Sequence, residues 1–294
     1  MAALPSPTPS GGGQGWGLPR QHLTGQTAMT AFQISRQGSV EHWTLNDHGS
    51  RNALSDAMVL ALFEACLRAQ HDSSLRGIVL SGAGGAFSAG GSLGGFASAI
   101  GQPLQPGETD PLIALNRSFG DVLHALTELP QWLVCAVDGP AMGGGFGLVC
   151  CADLVIATER SVFATPEVTL GLPPAQIAPF VWQRLGDAVA RQCLLSGARW
   201  SAAQAQAAGL VNTVVANDAL PAAVTDVLQA CRAAAPGAVA ATKRLLQRLR
   251  THAPDLRTEA ANAFAAALRG TEAAAGLRAF AHRQPAPWAQ EDPA

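Results

Sequence analysis

The chain has 294 residues, of which 14% are charged and 48% hydrophobic, with a net charge of −2. An average soluble protein carries about 25% charged residues. This one can therefore bury a large core, and it has no basic surplus with which to hold a nucleic-acid backbone. Thirty-one glycines stand against a single lysine, Lys243, and no tyrosine. That balance points to chemistry carried by the backbone.

Several classes fall away at once. Lys243 follows Thr242, so no phosphate-binding G-x-x-x-x-G-K-[ST] loop exists. Cys66, Cys135, Cys150, Cys151, Cys193 and Cys231 form no C-x-x-C, and the histidines lack metal-ligand spacing. Buried, reduced thiols and no metal are expected. The apolar stretch between Asp138 and Asp153 is too short and glycine-rich to span a bilayer. Residues 1–30 are rich in Pro, Gly and Ser, lack acids and have no apolar signal core. They read as a disordered tail, with Met29 a candidate start.

In chain order, Phe32 to Arg36 and Val40 to Leu45 predict two strands around Gln37-Gly38. Ser55 predicts an N-cap for a helix from Asp56 to Gln70, with Val59, Leu62, Phe63, Cys66 and Leu67 inward. Gly77 to Ser81 predicts a buried strand, followed by a glycine-rich loop and a polar segment from Ala97 to Asp110. A helix is expected from Leu112 to Leu129 and a strand from Leu133 to Val137. Gly143-Gly144-Gly145 then opens an apolar helix running to Cys151. Short strands at Leu154 to Ala157 and Val162-Phe163 precede a mostly helical remainder from Ala175. The alternation predicts an α/β core over residues 31–220 and a helical region over 221–294.

Two strand-to-loop passages share one design. Leu80 leads into Gly82 to Leu93, and Val137 leads to Gly143-Gly144-Gly145 at a helix start. Two such loops face to face can offer two backbone N–H groups to one oxygen, an oxyanion hole worth about 3–4 kcal/mol per donor in other enzymes. Glu167, in the run Phe163 to Gly171, is a carboxylate among apolar neighbours and suits proton transfer near neutral pH.

Four segments carry a family resemblance. Arg51-Asn52-Ala53-Leu54-Ser55, Ala86 to Leu93, Asp138 to Gly145 and Thr165-Pro166-Glu167 resemble, in order, the signatures of the enoyl-CoA hydratase/isomerase (crotonase) family. Ala208-Gly209-Leu210-Val211, Thr242 to Leu246 and the ending Phe280…Arg283…Trp288 extend the likeness over Ala31 to Trp288. The resemblance implies a crotonase-like spiral of ββα units with a helical C-terminal trimerisation region. It also implies an acyl-CoA thioester substrate, no cofactor beyond the coenzyme A of that substrate, and a homotrimer or hexamer in the cytoplasm. It assigns the oxyanion donors to Gly91 and Gly144 and the acid–base role to Glu167. Arg51, Ala53, Leu54, Ala89, Gly90, Ser92, Leu93 and Gly143 fall on the substrate and coenzyme A contacts.

The sequence also departs from the pattern. Gly147 stands where hydratases of the family commonly carry a first glutamate, and Ser92 where an Asp is usual. Gly147 is expected to leave room for a branched or carboxylated acyl group, while Glu108 and Asp110 are candidates for the missing acid. The segments Gly144 to Asp153 and Gly171 to Val181 are similar to methylglutaconyl-CoA and isohexenylglutaconyl-CoA hydratases, which predicts hydration of a branched enoyl-CoA. An isomerase using Glu167 alone and a non-catalytic acyl-CoA binder are the alternatives. Gly90-Gly91-Ser92-Leu93-Gly94 formally matches a serine-hydrolase elbow, but ten residues separate Ser92 from Ser81, the last residue of its strand. Asp153 reads as structural, Asp138 as solvated, and Lys243 and Arg244 as a solvated face or a contact to a coenzyme A phosphate.

Overall fold

The computed structural model describes residues 31–92, 107, 111–250, 271, 275, 279, 282–285 and 287. The tail over 1–30, Leu93, Glu108, Asp110 and Trp288 lie outside the described residues.

A six-stranded sheet organises the core, in the order β1 (Phe32–Gln37), β2 (Val40–Leu45), β3 (Gly77–Gly82), β4 (Trp132–Val137), β6 (Leu154–Thr158) and β9 (Thr213–Val215). β1 and β2 form the antiparallel hairpin expected, with Gly38 at φ 57° in its turn. Every later pair in this sheet is parallel. Parallel strands are covered on both faces, so they read as continuous apolar runs. Ile78, Leu80, Cys135 and Val137 join one core with Trp43, while Val79, Val134, Ala136 and Ile156 join another on the opposite face. A second sheet holds β5 (Pro140–Met142), β7 (Val162–Ala164) and β8 (Trp200–Ser201).

The helices are α1 (Asp56–Gln70), α2 (Pro111–Glu128), α3 (Gly144–Cys150), α4 (Ala178–Ser196), α5 (Ala202–Ala207), α6 (Leu220–Arg232) and α7 (Pro236–Arg250). Ser55 caps α1 as its sequence predicts, accepting from Met58 N at 3.3 Å. The inward face differs from expectation: Met58, Ala65 and Ala69 are buried, whereas Leu67 is 44% exposed. Helix α4 breaks at Gly186, whose φ of 72° is not helical.

Two polar residues are placed otherwise than expected. Lys243 is neither a solvated side chain nor free for a phosphate. Its Nζ donates to Asp153 Oδ2 at 2.6 Å and to Gln131 O at 2.8 Å, and Asp153 Oδ2 also accepts from Leu133 N at 2.7 Å. The one lysine therefore ties α7 to the start of β4, and Asp153 is structural as read. Asp138 is ion-paired with Arg160 and accepts from Thr158 Oγ1 at 2.9 Å. These bonds hold its carboxyl below the usual carboxylate range. The six cysteines are free and buried as expected, and burial pushes the Cys66 and Cys135 thiols up to about 12. No helix among the described residues is long and apolar enough to cross a membrane.

Candidate active site

The first loop leaves β3 at Gly82 and is held by Asn52. This side chain is fully buried with φ 59°, a left-handed conformation that Asn tolerates better than most residues. Its Nδ2 donates to Ala83 O at 2.9 Å and Ala86 O at 2.8 Å, while its Oδ1 accepts from Asp47 N at 2.8 Å. Ser88 Oγ donates to Asn52 O at 2.8 Å and accepts from Gly90 N at 3.1 Å. A chain of bonds thus fixes residues 83–90. Asn52→Ala would leave several of these buried groups unpaired and is expected to cost about 2–4 kcal/mol of stability, read by chemical denaturation.

The loop then runs beside Leu54. A parallel bridge pairs Leu54 with Gly91, using Leu54 N to Gly90 O at 2.8 Å and Ser92 N to Leu54 O at 3.3 Å. This pattern engages the groups flanking Gly91 and leaves its own N–H on the other side.

The second loop follows β5. Gly143 N donates to Ala164 O at 2.9 Å, and Gly143 caps α3 with φ 48° and ψ −115°, a conformation open to glycine alone. The first i-to-i−4 bond of the helix is Gly147 N to Gly143 O at 3.1 Å, so the Gly144 amide has no partner within the helix. The two loops touch backbone to backbone: a Cβ on Gly90 would lie 2.7 Å from Met142 O and 3.4 Å from Gly144 N.

Gly91 and Gly144 line a cavity of about 690 Å³ together with Glu167. Glu167 stands on a 3₁₀ turn, Pro166–Leu170, placed by β7 and ended by Gly171. Its Oε1 lies against Gly143, where a Cβ would come within 2.8 Å of it. Its Oε2 is buried without a hydrogen-bond partner among the described residues. Burial raises the Glu167 pKa above 4.5, opposed in part by its own backbone N–H. Such a carboxylate holds a proton to higher pH than usual and has a free oxygen with which to exchange it.

At Gly147 the structure differs from expectation. The space beside it is filled: a Cβ there would lie 2.4 Å from Ile177 Cγ2 and 3.7 Å from Leu123 Cδ1. No room for an acyl group opens at Gly147, because Ile177 occupies it and presents an apolar wall to the cavity. Gly147→Glu alone is therefore expected to cost about 1–3 kcal/mol by overpacking. Ile177→Ala in the same chain should recover most of that loss in thermal denaturation, as a double-mutant cycle would quantify.

Of the residues singled out from sequence, Leu54, Ala89, Gly90, Gly91, Ser92, Gly143, Gly144 and Glu167 share the cavity wall. Arg51 and Ala53 do not line it; Arg51 O accepts from Ala89 N at 2.9 Å. Sequence reasoning missed the opposite wall, formed by Leu112, Leu115 and Phe119 of α2 and the stretch from Leu170 to Ile177. Its signal was the i, i+3, i+7 spacing on α2. Asp56, in the first turn of α1, was missed as a second carboxylate on the wall. Among the described residues no group of His, Cys, Asp or Glu could hold a metal ion.

This arrangement has close counterparts. The chain resembles an enoyl-CoA hydratase/isomerase from Marinobacter aquaeolei at 39% identity and TM-score 0.83, over 88% of this chain and 99% of that one. The AtuE structure from Pseudomonas aeruginosa gives the same identity and TM-score over 88% of this chain and 100% of its own. In sequence it is 34% identical to the 2,3-dehydroadipyl-CoA hydratase of Escherichia coli over 65% of this chain and 71% of that protein. A probable enoyl-CoA hydratase of Mycobacterium tuberculosis is 36% identical over 70% of this chain and 76% of its own. The family model for enoyl-CoA hydratase/isomerase matches residues 35–291, spanning both glycine loops and Glu167. With that match over most of its length, and with relatives above 30% identity covered to more than two thirds, the chain belongs to the enoyl-CoA hydratase/isomerase family.

Proposed function

We propose that the protein hydrates a branched enoyl-CoA of the methylglutaconyl or isohexenylglutaconyl type, with Glu167 as the one acid–base side chain. The observation that carries this is the buried, unpartnered Glu167 Oε2 in the same cavity as the amides of Gly91 and Gly144. The thioester oxygen accepts both amides. As water adds to the β carbon, the Glu167 carboxylate takes its proton, and negative charge moves onto the thioester oxygen. The α carbon then takes the proton back from Glu167, which restores the thioester carbonyl and the carboxylate. One carboxylate reaches one face of the double bond, so hydroxyl and proton arrive on the same face. The reaction needs no cofactor beyond the coenzyme A of the substrate. Leu54, Ala89, Gly90, Ser92 and Gly143 line the thioester and pantetheine path, and Arg51, Ala53 and Leu93 belong to the proposal as further coenzyme A contacts. A trimer or hexamer and a cytoplasmic location remain part of this proposal.

The branched assignment draws on the likeness of the Gly144 to Asp153 and Gly171 to Val181 segments to such hydratases, since Gly147 itself opens no space. A panel of linear, methylglutaconyl and isohexenylglutaconyl-CoA esters tests the reading. Products heavier by one water, formed fastest from a branched ester, are expected. A shifted double bond at unchanged mass would favour an isomerase, and binding without turnover a non-catalytic acyl-CoA binder.

A further inference from the structure

The described wall of the cavity is apolar where Leu115, Phe119, Leu170, Leu172 and Ile177 stand. The same two segments, α2 and the stretch from Leu170 to Ile177, also contribute Ser118 and two neutral amides, Asn116 and Gln176. Ser118 is already engaged, donating to Leu115 O at 2.7 Å. The two amides form a pair: Gln176 Nε2 donates to Asn116 Oδ1 at 2.8 Å. Gln176 Oε1 lies over Gly120 of α2, where a Cβ would come within 2.1 Å of it. The absence of a side chain at Gly120 thus lets Gln176 lie across α2. With its carbonyl occupied, Asn116 keeps two N–H donors on Nδ2 that no acceptor among the described residues uses.

Charge defines what those donors suit. No Lys, Arg or His lines the cavity among the described residues, whereas Glu167 and Asp56 do. A fixed cation beside Glu167 would hold its pKa down and weaken it as a proton carrier. Neutral amide donors can bind an anion by charge-assisted hydrogen bonds without that penalty.

Building on the hydratase reading above, we propose that Asn116, held in place by Gln176, recognises a carboxylate on the acyl group, so that carboxylated enoyl-CoA esters are the class selected. Asn116 is then a specificity-determining residue and Gln176 positions it.

The test uses matched esters that differ only in the acyl carboxylate: 3-methylglutaconyl-CoA against 3-methylcrotonyl-CoA, and 2,3-dehydroadipyl-CoA against 2-hexenoyl-CoA. For Asn116→Leu, kcat/KM on the carboxylated member should fall about 10- to 100-fold more than on its neutral partner. The near-isosteric Asn116→Asp, which adds a like charge while keeping the side-chain shape, should widen that gap through KM. Equal losses on both members, or no loss on either, would overturn the assignment of Asn116. Should wild type turn over only the linear pair, the branched reading fails, and the same Asn116 ratio on the linear pair still decides this inference. Should wild type prefer the neutral member of every pair it turns over, the inference fails while hydration stands.

Discussion

Glu167→Gln is expected to lower kcat about 10²- to 10⁴-fold while leaving KM within a few-fold, since it removes one proton carrier and little volume. The variant keeps the side-chain shape beside Gly143, where Oε1 now packs. The amides of Gly91 and Gly144 are untouched, so substrate binding persists. In the wild type, kcat/KM should rise with pH as Glu167 ionises, through a limb lying above 4.5 because burial raises its pKa. That limb should vanish in the residual activity of the variant.

The same substitution should raise stability at neutral pH. In the unfolded chain Glu167 ionises near 4.5, and in the fold it keeps its proton to higher pH. Between those two values the folded state binds more protons, so stability falls as pH rises through that window. Above it the folded state carries the whole cost of the buried charge, and a neutral amide removes it. Thermal denaturation should therefore favour the variant above the raised pKa and show little of this gain below 4.5. Stability sacrificed at a reacting group is common in enzymes.

Gly143→Ala is the second large effect. At φ 48° and ψ −115° an alanine is strained, at a cost of about 1–3 kcal/mol. Its Cβ would also fall 2.8 Å from Glu167 Oε1, so the carboxylate or the start of α3 must move. A shift of this size at the reacting atoms costs on the order of 100-fold in rate. The expected result is a fall in kcat/KM of about that size with secondary structure retained by circular dichroism. Nearly full activity would mean that neither the Gly143 cap nor the placement of Oε1 matters to the reaction.

What was legible in the sequence was what nearby residues dictate. The β1–β2 hairpin follows from alternation around Gly38, and Ser55 caps α1 through a bond three residues on. The two glycine loops were legible because close backbone approach excludes side chains. Contacts between distant segments were not legible. The three-residue strand β9 exists because Ile156, Ala157 and Thr158 offer it an edge, which Thr213 to Val215 cannot reveal alone. Lys243 reads as a surface residue until Asp153, 90 positions earlier, is placed against it. Asn52 stands in the sequence only as one member of a family signature, whereas its side chain braces the loop that presents Gly91. Ile177 carries no mark in the sequence of lying against Gly147, yet that contact fills the space beside Gly147.

The central claim is that one carboxylate makes both proton transfers, from water and to the α carbon, on one face of the substrate. Hydration in heavy water, with the product analysed by NMR, tests it directly. The claim predicts one deuterium at the α carbon, on the same face as the added hydroxyl, and loss of this product in Glu167→Gln. Deuterium on the opposite face, or scrambled between faces, would contradict it.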